Sequence, residues 1–407
     1  MFSSLKNKDI RILMENFISL STLQIVGMIL PLITLPYVVR VVGFSNYGII
    51  ALASSLIAYF QSVTDYSFRI TATRDVVIYK HSTKRLSLIY SKVQIVKAIF
   101  SFLSLTILLI IVFLYPPFYK ERLVFFLTMP ILLGYTLFPE WFFQGIENMK
   151  YITILNICIK VFFTICIFIF IKKETDYWVY PLLQSCGFIG GGIVGQFILH
   201  KKYRLKFFII KPSSIKKTVT DNFPIFINQF VPNLYNNTST FLLGIFSSNN
   251  IVGIYDAIKK ITDLSVALIN IFSRVFFPFI NRRKDVFKKY SMLMFSVGSL
   301  LVFLPIIFSK LIFFYLNVSY PNAFEVLTIL SLSVFFVTLY DIYGLNYFIV
   351  NRQDKLVMKN TIVASIIGFI LAFPLIYWSG IIGAALNVLI SRIIMGGGLF
   401  YKYKRFT

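Results

Sequence analysis

The sequence predicts an all-α membrane protein with about twelve transmembrane helices in two six-helix bundles. Of its 407 residues, 57% are hydrophobic and only 14% are charged, whereas about a quarter of the residues in soluble domains are charged. Apolar runs of about 20 residues, the length that crosses the hydrocarbon of a bilayer, recur along the chain. Basic residues collect in the loops between these runs, on alternate sides.

Twelve runs satisfy the length and polarity of a spanning helix. They are residues 17–42, 47–65, 88–115, 122–143, 151–171, 177–199, 222–246, 251–280, 291–315, 322–350, 356–378 and 380–400. Because the number is even, both termini are predicted on the same side of the membrane.

The loop charges predict which side that is. Of the 40 basic residues, 27 lie in the termini and loops of one side and five in the loops of the other. Basic loops stay in the cytoplasm, so both termini are predicted to be cytoplasmic. The net charge of +24 is spread over these loops and does not form one basic face, which argues against a nucleic-acid partner.

A basic loop at 200–221 divides the chain almost in half. We predict a bundle at 1–199, a cytoplasmic linker at 200–221 and a second bundle at 222–407. A weak repeat supports this division. Its matching segments are Glu15-Asn16-Phe17 with Asp221-Asn222-Phe223, and Tyr47-Gly48-Ile49 with Val252-Gly253-Ile254. Six spans per half give the two halves the same orientation.

Span 251–280 carries a stripe of polar side chains on one helical face. Its members are Asp256, Lys260, Asp263, Ala267, Asn270 and Arg274. Lys260 can pair with Asp256 or with Asp263, while Arg274 has no partner on the stripe. The stripe predicts the wall of a polar cavity, with salt bridges that only fix helix packing as the alternative.

Span 222–246 carries an uncharged stripe that includes Gln229, Asn233 and Asn236. Amides suit sugar hydroxyls because each offers both a donor and an acceptor. Hydrogen bonding between helices is the alternative.

Further candidates lie in the first half of the chain. Gln24 and Pro31 share a helix face, Pro31 and Pro36 are predicted to bend that helix, and Gln61 and Asp65 form a polar face that ends near Arg69. Lys160 is predicted close to the midplane of the bilayer. Five other embedded cations lie nearer the ends of spans, where an interfacial position is an open alternative: Arg40, Lys92, Lys97, Lys310 and Arg392.

The sequence contains no catalytic, cofactor or metal motif. His81 and His200 fall in loops, the three cysteines lie in apolar runs without metal-ligand spacing, and the outer loops are too short to carry an active site. We therefore predict a protein that is not an enzyme and needs no cofactor or metal.

Four segments resemble the Wzx-type flippases of bacterial polysaccharide biosynthesis. They are LPLITLPYVVRVVGFSNYGIIALA at 30–53, TDYSFRITATRD at 64–75, FPEWFFQGIENMKYITILN at 138–156 and VGIYDAIKKI at 252–261. The first segment is shared more loosely with the multidrug and oligosaccharidyl-lipid transporter superfamily. The resemblance implies two MATE-like six-helix bundles in a bacterial inner membrane, alternating access, and an undecaprenyl-pyrophosphate-linked oligosaccharide as cargo. Membrane lipids, a polysaccharide polymerase and a chain-length regulator are its implied partners.

The resemblance also implies coupling to an ion gradient, with the ion unknown. Relatives often carry Glu-Lys in the eighth span, where this chain has Lys259-Lys260. Asp256, Asp263 or Asp341 would substitute for the missing acid, with Asp65 as a further coupling or gating candidate.

Our hypothesis is that cationic side chains bind the pyrophosphate while the Asn/Gln face contacts the sugars. Lys160, Lys260 and Arg274 are the first candidates, with Arg40 at the outer mouth and Arg69 or Arg74 at the inner one. The alternatives are a drug or lipid II exporter of the same superfamily and, from another class, a polytopic glycosyltransferase or polysaccharide polymerase.

Overall fold

The computed structural model describes residues 7–282 and 284–406, and no strand occurs in these ranges. Within these ranges the structure does not describe the side chains of residues 7–18, 20, 21, 228, 232–236, 278, 279, 282, 284 and 406. The helices form two compact units. The first contains the chain up to Thr34 and Leu56–Phe230, and the second contains Leu35–Ser55 and the chain from Val231 onwards.

The first helix, α1 (Asn7–Asp65), contains a break at Gly43. The backbone there has φ 78° and ψ 162°, a conformation that glycine adopts without the steric cost that a Cβ atom would bring. The break lies between the predicted spans 17–42 and 47–65. One continuous helical element therefore contains two predicted spans.

The first unit also contains α2 to α9, which are α2 (Phe68–Tyr79), α3 (Thr83–Leu114), α4 (Pro116–Lys120), α5 (Arg122–Thr128), α6 (Ile131–Leu137), α7 (Glu140–Gly145), α8 (Met149–Phe170) and α9 (Val179–Lys201). A 3₁₀ turn at Glu174–Trp178 precedes α9. The core of the unit is aromatic, because Trp141, Phe142 and Phe143 are each at most 2% exposed.

Residues 122–145 form three short helices where one span was predicted. Pro130 and Pro139 lie at the two junctions. Proline supplies no amide hydrogen and its ring collides with the preceding turn, so it ends a helix.

Besides Leu35–Ser55, the second unit contains the part of α10 (Pro212–Phe246) from Val231 onwards. It also contains α11 (Asn249–Arg282), α12 (Phe287–Ile307), α13 (Ser309–Leu316), α14 (Ala323–Leu339), α15 (Asp354–Arg392) and α16 (Gly398–Phe406). A 3₁₀ turn at Lys284–Val286 precedes α12, and π-helices follow α14 at Tyr340–Ile349 and α15 at Ile393–Gly397. α15 breaks at Gly380, with φ 52° and ψ −124°, at the predicted boundary between spans 356–378 and 380–400.

Gly48 and Gly253, the central residues of one predicted repeat pair, form a close helix crossing inside the second unit. A Cβ atom at Gly48 would collide with the backbone carbonyl of Asn249, and one at Gly253 would collide with the carbonyl of Phe44. Each glycine thus contacts the residue four positions before the other glycine. Only glycine permits this backbone approach at both positions.

Eight helices of the described ranges are long and apolar enough to cross a membrane. Two of them, Thr22–Tyr79 and Asp354–Arg405, are 58 and 52 residues long. At 1.5 Å per residue each exceeds twice the bilayer core of about 30 Å, and each contains a glycine break. The polar helices α10 and α11 are not among the eight. About twelve spans and two cytoplasmic termini therefore remain predictions.

Large apolar side chains on the surface of both units face outward, as membrane proteins require. Phe102 and Leu114 of α3 are 71% and 77% exposed, and Phe314 and Trp378 are each 78% exposed. Exposed apolar surface of this extent indicates contact with lipid.

The two compact units have different boundaries from the two predicted bundles. Leu35–Ser55 packs into the second unit, while the predicted linker 200–221 and the start of α10 belong to the first. Residues 212–221 are helical, so the linker is shorter than expected. The division into two six-helix bundles stays a prediction.

Candidate functional site

Lys160 lies at the middle of α8, and its ammonium group faces Gly27 of α1. A Cβ atom at Gly27 would lie only 2.5 Å from Lys160 Nζ, so the glycine leaves room for the cation. Pro31 has no amide hydrogen, so the Gly27 carbonyl lacks its helical donor. Lys160 is half-buried, and across the described residues it forms no hydrogen bond or ion pair. It is therefore a cation inside a candidate membrane span for which the described residues supply no counter-ion.

Lys97, in contrast, is fully paired. It is 2% exposed, lies 3.4 Å from Asp65 Oδ1 and donates at 2.9 Å to the carbonyl oxygen of Tyr135. That carbonyl has no helical donor because Pro139, four residues later, has no amide hydrogen. The interfacial alternative for Lys97 is wrong, since the side chain stabilises a helix break inside the first unit.

Two glutamines donate hydrogen bonds to further backbone carbonyls at the same helix break. Gln94 Nε2 donates to the Thr136 carbonyl at 3.2 Å, and the Gln196 side-chain amide donates to the Leu137 carbonyl. The end of α6 is therefore capped by side chains, as buried helix ends must be.

The inner-gate candidates Arg69 and Arg74 form exposed ion pairs. Arg69 lies 3.4 Å from Glu140 and Arg74 lies 3.8 Å from Asp75. The arginine side chains are 61% and 68% exposed, so water weakens both pairs. The remaining first-unit candidates are Gln24 and Gln61, which are half-buried, and Pro31, which is exposed.

Lys260 of α11 is held by an acid on its own helix and by a tyrosine from α1. Its ammonium group lies 3.0 Å from Asp256 Oδ2, donates to the Tyr47 hydroxyl and lies 5.0 Å from the centre of the Tyr47 ring. The Tyr47 hydroxyl donates to Asp256 Oδ2 at 2.5 Å. Of the two partners predicted for Lys260, the structure selects Asp256.

Asp263, the other predicted partner, pairs elsewhere. Lys259 Nζ and Arg392 Nη2 each lie 3.7 Å from its carboxylate, and Arg392 also donates to Ser333 Oγ at 2.8 Å. Arg392 is 5% exposed, so the interfacial alternative for it is wrong as well. The cluster of Lys259, Lys260 and Arg392 with two aspartates has more bases than acids.

Asp341 and the neighbour of Arg274 on α11, Ser273, belong to a buried hydrogen-bond network around Asn346. Asp341 is fully buried and within electrostatic range of Arg274, which is exposed. Asn346 Nδ2 donates to Ser273 Oγ and to Tyr290 OH, both at 2.8 Å. Asp341, which lies outside the stripe on α11, is thus an acid in the surroundings of Arg274.

Arg40 is held by hydrogen bonds to backbone carbonyls. Its guanidinium donates to the carbonyl oxygens of Phe314 at 3.4 Å and Tyr315 at 3.0 Å, at the end of α13. A cation there also opposes the negative end of the helix dipole. Pro36, one turn before Arg40, is buried.

The amide stripe is described only in part. Gln229 is exposed, whereas the side chains of Asn233 and Asn236 lie outside the described residues.

Sequence reasoning missed several partners of these candidates, because their contacts join helices that are distant in the sequence. They are Tyr47, Lys97, Glu140, Arg392 and Ser333. Only the proline at 139, which implies an uncapped carbonyl at 135, could have pointed to Lys97.

Solved structures share this fold. The lipid II flippase MurJ in an inward closed conformation superimposes with a TM-score of 0.74 and 13% identity, covering 96% of this chain and 87% of that one. An inward-facing multidrug resistance MATE family transporter of the MOP superfamily gives 0.59 and 14%, covering 95% and 98%. The chain therefore has the helical fold of these two membrane proteins.

The chain belongs to the polysaccharide biosynthesis protein family, whose model matches residues 13–284. A protein named "Putative O-antigen transporter" from Escherichia coli (strain K12) is 27% identical over 392 residues, 94% of each chain. A protein of the same name from Shigella dysenteriae is 22% identical over 390 residues, 94% of this chain and 97% of that one. These findings confirm the predicted resemblance and a location in the bacterial inner membrane. Both of these relatives carry the name of a transporter and not of an enzyme, which is consistent with the prediction of a protein that is not an enzyme.

Proposed function

We propose that this protein moves oligosaccharide repeat units linked to undecaprenyl pyrophosphate from the cytoplasmic to the outer leaflet by alternating access. Two relatives named as O-antigen transporters, each matching at least 94% of this chain, support that cargo. A polysaccharide polymerase and a chain-length regulator are its proposed partners, and two six-helix bundles its proposed domains.

The observation that carries the proposal is the Lys160 ammonium group. A charge in the membrane interior costs at least about 2.5 kcal/mol on insertion scales, and across the described residues no acid offsets it. The absence of a side chain at Gly27 leaves the space that the ammonium group occupies. A pyrophosphate would supply the missing anionic partner.

The second unit supports an anionic cargo as well. Three bases and two acids share the cluster around α11, whereas an exporter of cationic drugs would need an excess of acids. We propose that Lys260 and Arg274 contribute to pyrophosphate binding, that Gln229, Asn233 and Asn236 contact sugars, and that Arg40 guards the outer mouth.

Coupling is proposed to use the aspartates. Asp256 and Asp263 share their charge with lysines, Asp65 with Lys97, and Asp341 is buried near Arg274. Protonation or cation binding at such a carboxylate would release its basic partner, which is one way to link ion flow to cargo affinity.

Deletion of the gene tests the cargo. We expect undecaprenyl-linked repeat units to accumulate on the cytoplasmic leaflet and surface polysaccharide to be lost, with wild-type protein restoring both. Accumulation of lipid II instead, or no accumulation of any lipid-linked sugar, would contradict the proposal.

Substitution tests the site. Lys160→Gln should abolish surface polysaccharide at a normal protein level, while the matched variant Lys310→Gln, at an exposed lysine, should leave it intact. Gly27→Ala should also reduce transport, because the new methyl group displaces the flexible end of Lys160 without touching backbone. Full polysaccharide from both Lys160→Gln and Gly27→Ala would remove Lys160 from the site.

A further inference from the structure

The segment between α9 and α10 lies along α3 and is hydrogen-bonded to it. Lys206 N donates to Ser87 Oγ at 3.0 Å, and Phe208 N donates to Ser91 Oγ at 2.9 Å. Both serines are at most 2% exposed. The segment is therefore fixed by buried hydrogen bonds and is not a free linker.

The spacing of the two serines explains this attachment. Four residues of α-helix rise about 6 Å, and two residues of extended chain rise about 6.6 Å. Hydroxyls at i and i+4 of α3 therefore match amides at j and j+2 of the segment. Leu205 strengthens the attachment, because it is 2% exposed and its carbonyl lies 2.8 Å from His200 Nδ1.

This attachment holds three large apolar side chains on the outside. Phe207 is 53% exposed, Phe208 36% and Ile209 97%. The backbone is tethered on both sides of Phe207, and one edge of the Phe207 ring packs against Tyr90 with the ring centres 6.3 Å apart, so the rest of the ring is held at the surface. Three consecutive apolar side chains with this much exposed surface would be unfavourable in contact with water.

Basic residues lie on both sides of the apolar run 207–210. Arg204, Lys206 and Lys211 are exposed, and the segment from 202 to 211 contains no acid. It directly follows α9, whose candidate span ends at Lys201, so a bilayer crossed by α9 would bring the segment to the depth of the lipid headgroups. Aromatic and aliphatic side chains flanked by cations are the composition of an interfacial membrane anchor.

We propose that residues 204–211 form a fixed interfacial anchor that inserts Phe207 and Ile209 into the membrane boundary and binds anionic phospholipid headgroups through Arg204, Lys206 and Lys211. The partner is thus a lipid surface, which complements the segment in both polarity and charge. The anchor does not depend on the cargo of the transporter.

Spin labelling of the full protein in vesicles tests this inference. The three native cysteines are replaced by serine, and a nitroxide is attached to Ile209→Cys, to His81→Cys as an aqueous control in the loop before α3, or to Phe102→Cys as a lipid-facing control. Collision with oxygen and with an aqueous nickel complex reports depth. The vesicles contain phosphatidylcholine with or without phosphatidylglycerol.

We expect the label at 209 to be severalfold less accessible to nickel than the label at 81, and shallower than the label at 102. Phosphatidylglycerol should lower its nickel accessibility further, and Arg204→Gln/Lys206→Gln/Lys211→Gln should remove that effect. Nickel accessibility at 209 equal to that at 81, or no response to phosphatidylglycerol in the protein with all three cations, would overturn the proposal.

Discussion

The ion pair of Asp65 and Lys97 allows a quantitative test of how the first unit is stabilised. The charged atoms lie 3.4 Å apart, and the side chains are 38% and 3% exposed. Coulomb's law gives about 5 kcal/mol for this distance at an effective dielectric constant of 20 and about 1 kcal/mol in water. Because Asp65 is partly solvated, we expect a coupling energy of about 2 kcal/mol.

The loss of unfolding free energy in the double variant should be smaller than the sum of the losses in the two single variants. Asp65→Asn leaves a buried ammonium group without its acid and should cost about 3 kcal/mol. Lys97→Met leaves the Tyr135 carbonyl without a donor and should cost about 2 kcal/mol. The double variant should cost about 3 kcal/mol, because the second change relieves the charge that the first one stranded.

Cys166 provides the readout. It is buried in α8 of the same unit, whereas Cys158 and Cys186 are exposed, so both are replaced by serine. Unfolding of the purified protein is then followed by labelling of Cys166 during titration with a denaturing detergent. Lys310→Met, at an exposed site, is the control and should change the free energy of unfolding by less than about 0.5 kcal/mol. Additivity within about 0.5 kcal/mol would refute the pairing argument.

Three further substitutions follow from contacts in the second unit. Tyr47→Phe removes the 2.5 Å hydrogen bond to Asp256 and should lower the free energy of unfolding by about 2 kcal/mol. A loss below about 0.5 kcal/mol, which is the size of a neutral surface change, would contradict this expectation. Arg392→Gln removes the charge of a side chain that is 5% exposed and donates to Ser333, and should lower the unfolding temperature of the purified protein, whereas an unchanged temperature would show that the arginine is dispensable. Gly253→Ala places a methyl group against backbone and should reduce the yield of folded protein on gel filtration, a result that Gly190→Ala, with open space around it, should not reproduce.

Helix positions were largely predictable from the sequence, because apolar length and loop charge are local properties. The breaks at Gly43 and Gly380 fall at predicted span boundaries. Helical periodicity also predicted that Lys260 would have an acidic partner on its own helix, and Asp256 is that partner. These features need no knowledge of which helices are neighbours.

The contacts between helices were not predictable in the same way. Lys97 reads as an interfacial lysine in the sequence, yet it is buried because Pro139 frees a carbonyl near it in space. Tyr47 is separated from Lys260 by more than 200 residues, and no local pattern joins them. The path of residues 204–211 along α3 depends on hydrogen bonds to two serines of that helix, which no local sequence pattern distinguishes from other serines.

The crossing of Gly48 and Gly253 makes the spacing of two helices depend on two single positions. Each glycine meets a carbonyl four residues before the other, at one common offset of 205 along the chain, which is the arrangement of two identical copies that touch across a symmetry axis. A side chain at either position would meet the backbone of the opposite helix, so a substitution at one glycine cannot be compensated by a change at the other.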